Sequence, residues 1–199
     1  MAKYDELKSS GITDKTPQNI MLGAGTIHKG FKYIPASNAW NFSESLIGAT
    51  SGGCKVSIKP ETMDIAVDGA LVAVKGLRVK TGEKATLEVN FIEMTPDLLK
   101  MVTIGSENKS PDGLTGYSEI NSKARIEEGD YIKDFAYVGK KTDGTPVIVK
   151  FDHCICTSGL EIEGKNKEAG TFTGVFECVA DLSSEADTLP WHIIYPQGG

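Results

Sequence analysis

Hydrophobic and polar residues alternate with a period of two along most of the chain. Cys54, Val56 and Ile58 alternate with Lys55, Ser57 and Lys59, the pattern of a strand with one buried and one wet face. Pro60 lacks the N–H that a ladder uses, so it predicts the end of that strand. Met63, Ile65 and Val67, alternating with Asp64, Ala66 and Asp68, predict another. A hairpin turn is expected at Thr81, Gly82, Glu83 and Lys84. Beyond it Ala85, Leu87, Val89 and Phe91 point one way, and Thr86, Glu88 and Asn90 the other. The segments "DYIKDFAYVG" and "PVIVKFDHCICTSG" predict two hairpin halves joined at Asp143 and Gly144. "TFTGVFECVAD" and "LPWHIIYP" add strands rich in β-branched and aromatic residues.

One segment breaks this pattern. Thr95 reads as a helix cap, Pro96 as the first helical residue, and Asp97 as a negative charge where the helix dipole favours it. Leu98, Leu99, Met101 and Val102 supply an apolar side, and Gly105 is the expected stop. A helix of about two turns does not stand alone in water, so this one must lean on a sheet or a neighbour. Residues 1–30 show no sustained period and carry Gly11, Gly23, Gly25 and Gly30, which predicts an extended N-terminal arm. Polar loops are expected over 106–116 and at "EGKNKEAG". With roughly eight to ten strands and one short helix, the expected fold is mainly β. It is a sandwich or barrel with a flanking α-helix, in a single domain over 1–199.

Composition narrows the function classes. At 199 residues, folding hides about 70% of the unfolded chain's surface, enough for a core. No apolar run approaches the roughly 20 residues of a membrane-spanning helix, and "MAKYDELKSS" has no apolar stretch of the export type. No membrane anchor is expected, and the chain should remain where it is made. Cys54, Cys154, Cys156 and Cys178 are accordingly expected as free, buried thiols. The net charge of −6 is uneven: residues 1–100 carry 12 basic and 11 acidic side chains, residues 101–199 carry 9 and 16. That balance argues against gripping nucleic acid, which needs clustered cations.

No motif completes a catalytic or metal-binding pattern. His153, Cys154 and Cys156 are ligand types for zinc, but in a strand the two cysteines share a face that His153 does not, and no second ligand pair follows. His28, His153 or His192 with a cysteine would make a nucleophilic pair only by meeting in space. Glu127 with Glu128 and Glu161 with Glu163 read as solvated or lumen-lining charge rather than opposed acids in a cleft. "LGAGTIHKG" lacks the rest of a phosphate loop and reads as a turn. No catalytic residue, metal or cofactor is assigned.

The stretch "AWNFSESLIGATSGGCKVSIKPETMDIAVDGALVAVKGLRVKTGEKATLEVNFIEMTPDLLKMV", with the closing "GTFTGVFECVADLSSEADTLPWHIIYP", resembles the major tail tube proteins of long-tailed bacteriophages. The likeness is one of pattern, and it spans roughly residues 17–196. It implies a β-sandwich or barrel with one helix that assembles into stacked, hexameric rings. These would form the hollow tail tube of the virion, through which double-stranded DNA passes without specific binding. The secreted ring protein of type VI systems is related in architecture. The resemblance implies synthesis in the host bacterial cytoplasm, with the chain itself, the tape measure, the tail terminator and distal tail or baseplate proteins as partners. It makes Pro96, Leu98, Leu99, Met101 and Val102 a candidate subunit-contact helix. An anionic bore would let DNA slide where a cationic one would hold it, and Asp64, Glu88, Glu127 and Asp134 are the candidate lumen-lining acids. The competing expectations are another virion component with a similar sandwich (a capsid decoration protein, tail terminator or baseplate hub) and, from a different class, a small β-barrel enzyme or carbohydrate-binding module with Trp40 and Trp191 as sugar platforms.

Overall fold

Alternation over residues 50–91 folds into one long antiparallel ribbon, and the rest of the chain wraps on it. The computed structural model describes residues 10–110, 114–164, 166–185 and 187–197. In chain order the elements are α1 (Thr16–Asn19), β1 (Met21–His28), β2 (Tyr33–Ile34), β3 (Ala39–Trp40), α2 (Phe42–Ser45), β4 (Thr50–Asp64) and β5 (Arg78–Phe91). Then come α3 (Pro96–Thr103), β6 (Gly105–Lys109), β7 (Ser118–Ser122), β8 (Ile132–Lys141), β9 (Pro146–Cys156), β10 (Ile162–Glu163), β11 (Thr171–Cys178) and β12 (Trp191–Ile194).

The main sheet is antiparallel in the order β1-β8-β9-β11-β5-β4, with β12 beside β9 and β10 beside β11. It curls until β1 lies near β4, and the concave side holds the core. Ala85, Leu87, Val89 and Phe91 of β5 meet Ile27, Phe135, Phe151, Phe172 and Phe176 there. Phe135 and Phe176 lie 4.6 Å apart between ring centres, and Phe91 stacks on Phe172 at 5.2 Å. A second cluster covers the outer face of β8 and β9: Trp40 stacks on Phe31 at 4.9 Å, over Ala136 and Ile148. Burying each such ring stabilises by roughly 1.5–3 kcal/mol, against about 0–1 kcal/mol for an exposed ion pair, so rings rather than charges set the fold.

The mainly β architecture with a short helix is the one expected. The helix begins as read, since Thr95 Oγ1 accepts from Leu98 N at 3.3 Å with Pro96 in the first turn. Its end differs. Ile104, not Gly105, takes the left-handed conformation, with φ +51, and donates its N–H to Lys100 O. Gly105 opens β6, where a Cβ would fall 2.6 Å from Thr103 Oγ1 and 3.1 Å from Asn121 O. That glycine is required by close approach, not by a turn.

Five other expectations are corrected. β4 runs through Pro60 to Asp64, because β4 is an edge strand. Ile65 N–H donates inward to Leu77 O, so by ladder alternation position 60 faces the unpaired side, where a missing N–H costs nothing. Thr81 to Lys84 is no turn: the register slips between Glu61 and Thr62 opposite it, a bulge inside β5, and the chain reverses over 65–77. The expected arm over 1–30 contains a full sheet strand, β1, paired with β8 and burying Ile27 and His28; residues 1–9 lie outside the described residues. Gly23 and Gly25 sit in a bulge of that strand rather than a turn, and Gly25 passes so close to Tyr137 that a Cβ would lie 2.4 Å from its ring. The expected loop over 106–116 holds β6, which pairs with β7, while residues 111–113 lie outside the described ones.

Candidate functional site

The β4–β5 ribbon outgrows the core. As far as Ile58 and Ala85 its inner face packs on the barrel interior. From Lys59 to Thr81 nearly every residue is exposed. Met63 pairs with Val79 and, two rungs on, Ile65 with Leu77, so these apolar side chains share one face of the projection. Asp64 and Arg78 pair on the other. Arg78 donates to both carboxylate oxygens, at 2.7 and 2.8 Å, and this bond holds the Asp64 carboxyl below its usual range. The reversal beyond carries Val67, Leu71, Val72 and Val74, all exposed and Leu71 fully so, at 99%. Scattered apolar surface residues are ordinary; a cluster at the end of a projection marks a surface that meets a partner.

The ribbon also carries an open margin. Among the described residues no strand pairs with the outer side of β4. The outer side of β1 is different: Ile47 N–H donates to Ile27 O, and Lys29 N–H to Ser45 O, so the segment at 45–47 covers its last residues. A 15-residue edge strand with free N–H and C=O groups is a template for another chain. Pro60 and the charges Lys55 and Lys59 blunt it only in part.

The structure does not bring the four candidate acids together, and three of them already have cations. Asp64 lies at the end of the ribbon against Arg78. Glu127 caps the single turn Glu128–Asp130, and Lys123 bridges it to Asp130, each at 2.8 Å. Asp134, itself at φ +50, binds Lys150 at 2.7 Å and Lys32 at 3.5 Å. Lys150 also reaches Asp152 at 3.1 Å, and Asp152 reaches His192 at 2.9 Å. Burial alone would lower the Lys150 ammonium, but the two carboxylates outweigh it and raise it. Glu88 stands apart, on the outer face of β5 across from Lys55, a face that also carries the Lys84–Glu177 pair at 2.8 Å.

The candidate contact helix turns much of its apolar side inward. Leu98 and Val102 are 1% exposed and Met101 packs on the same core, so these side chains hold the helix to its own chain. Pro96 is exposed and Leu99 half-buried, which leaves little of the expected apolar face for a neighbour. The tryptophans are also engaged: Trp40 on Phe31, and Trp191 packed on the core with its indole N–H donated to Glu83. Cys154 and Cys156 are buried in the interior while Cys54 and Cys178 are half-buried.

His28, buried at 2% exposed, is bound to hydroxyls. Ser45 donates its only hydroxyl proton to Asn41 O at 2.7 Å, so it accepts from His28 Nδ1–H at 2.9 Å. His28 Nε2 is left to accept from Thr26 Oγ1 at 2.8 Å, which defines one neutral tautomer. Sequence reasoning missed this anchor because nothing local in "TIHKG" points to Ser45, which α2 delivers from 17 residues away.

No protein-family model and no curated protein matches the chain. Among solved structures it is similar to a chain in the virion of a native gene transfer agent particle, with 13% identity over 79% of this chain and 92% of that one and a TM-score of 0.38. It is also similar to a chain in the tail of an empty gene transfer agent particle with C6 symmetry, at 13% identity over 82% and 96% and a TM-score of 0.41.

Proposed function

We propose that the chain is a structural virion protein, a tail tube subunit that assembles with copies of itself into stacked rings around a hollow axis. The observation that carries this reading is the β4–β5 ribbon, which extends past its own core with an apolar end and an unpaired edge. Such a ribbon is stabilised when a second copy covers the apolar end and supplies strand partners to the edge; closing a ring of copies removes the edge altogether. The sequence resemblance to tail tube proteins supports the same reading and supplies the expected ring number of six, the partners (tape measure, terminator, distal tail or baseplate proteins) and the passage of double-stranded DNA.

In that tube Glu88 is the acid best placed to face DNA. Asp64, Glu127 and Asp134 are held in ion pairs by cations, whereas Glu88, half-buried on the outer face of β5 across from Lys55, makes no ion pair among the described residues. The deciding experiment is negative-stain electron microscopy of concentrated protein. Extended hollow tubes are expected. Trimers or a single closed ring without stacking would favour a decoration, terminator or baseplate-hub protein, and a protein that stays monomeric at high concentration would overturn both.

A further inference from the structure

Strands β9 and β11 carry three thiols within one patch of the barrel interior, and their register singles out two of them. Cys178 is the direct cross-strand partner of Cys154. Thr157 N–H donates to Val175 O at 2.8 Å, and Val179 N–H donates to His153 O at 3.0 Å. These hydrogen-bonded rungs lie one and three places from the pair, so by the alternation of an antiparallel ladder Cys154 and Cys178 occupy a non-hydrogen-bonded rung. Such rungs hold their Cα atoms about 4.5 Å apart with the side chains on one face, within the roughly 4.4–6.8 Å that a disulfide spans. The other pairings do not fit. Cys154 and Cys156 stand two residues apart on one strand, about 6.6 Å with parallel Cβ directions, and Cys156 to Cys178 is a diagonal of about 7–8 Å.

We propose that Cys154 and Cys178 are a latent cross-strand disulfide, reduced as the chain folds and closed by a small-molecule disulfide oxidant without movement of the backbone. The balance is that of thiol–disulfide exchange. Cys178, the half-buried member, attacks a sulfur of oxidised glutathione and releases one glutathione thiolate, giving a mixed disulfide. Cys154, wholly buried beside it, then attacks the Cys178 sulfur and releases the second. Two protein thiols become one disulfide, one oxidised glutathione becomes two reduced ones, and the two protons end on glutathione. Cys178 is the more accessible of the two thiols: it is half-buried where Cys154 is buried, and its Sγ–H donates to Pro190 O at 3.3 Å in the segment leading into β12. Burial pushes the Cys178 thiol up to about 12, so the first attack is slow at neutral pH and speeds up about tenfold per pH unit below that value. The site holds whatever the chain assembles into.

The test treats the purified, reduced full chain with oxidised glutathione at mildly alkaline pH and reads intact mass, a peptide map and thermal unfolding. Expected are a loss of two hydrogens in mass, a linked peptide pair containing Cys154 and Cys178, and a rise in Tm of about 5–10 °C that a reducing agent reverses. The same treatment of Cys178→Ser is expected to leave both mass and Tm unchanged. A map that links Cys156 instead, a glutathione adduct that stays on Cys178, or four thiols still free after prolonged oxidation would each overturn the proposal.

Discussion

Met63 and Val79 face each other across the last rungs of the β4–β5 ribbon, beyond the reach of the chain's own core. Neither supports the fold of its own subunit: Met63 is 55% and Val79 37% exposed. Replacing both by Asp is therefore expected to change the unfolding free energy by less than about 1 kcal/mol while abolishing higher-order assembly. Sedimentation velocity beside urea denaturation checks this, and a fully assembling double mutant would remove the apolar end of the ribbon from the assembly surface.

Leu98 and Leu99 separate the two roles assigned to the helix. Leu98 is buried in the core, so Leu98→Ala is expected to cost about 2–5 kcal/mol through lost transfer energy and the cavity left behind. Leu99 is only half-buried, and Leu99→Ala should cost about 1 kcal/mol or less. Chemical denaturation of the two single mutants is the measurement, and similar losses would mean that the helix is packed differently from its described position.

Where a local rule and the tertiary context agreed, the residues announced the structure. Asp143 and Gly144 made the β8–β9 hairpin visible, and Thr95 with Pro96 the start of α3. Where a local signal has two outcomes, context chose. Pro60 reads as a strand stop, but on an edge strand it merely turns its missing donor outward. Thr81 and Gly82 read as a turn, yet a bulge accommodates them once the apolar rungs Met63–Val79 and Ile65–Leu77 prolong the ribbon. β1 was hidden because its bulge at Gly23 and Gly25 erases the period of two. The candidate acids were legible as polar strand positions; their cations, such as Lys150 for Asp134, come from other strands, and pairing across strands has no local signature.

His28 should leave a mark on the acid side of the stability profile. Burial is the main cause that lowers its imidazole below the ordinary 6.5, a hydrogen bond at Phe42 opposing it in part. In the unfolded chain the ring protonates near 6.5 and in the folded chain only at lower pH, so the unfolded state binds more protons in between. The stabilisation from a neutral His28 is thus complete above 6.5 and declines as pH falls below it. His28→Gln, whose amide can serve both Ser45 and Thr26, is expected to flatten that part of the profile. Thermal melts of both proteins across mildly acidic pH check it; parallel profiles would assign the acid sensitivity to other groups.

Thr62 tests whether the open edge itself is used. Ile65 and Met63 direct their N–H groups toward β5, so Thr62, like Pro60, directs its own toward the unpaired side. Thr62→Pro removes one outward donor and no ladder bond, and Thr62 is exposed. The isolated subunit should lose less than about 1 kcal/mol, whereas Met63→Pro, which deletes an inward bond, should cost about 1–3 kcal/mol. If strands of neighbouring copies pair along β4, Thr62→Pro subunits will fold normally and fail to extend into tubes, because the missing donor recurs at every subunit contact. Electron microscopy of folded Thr62→Pro protein decides between edges: tubes of normal length and abundance would show that copies associate through the apolar end of the ribbon alone, with the β4 margin left to solvent.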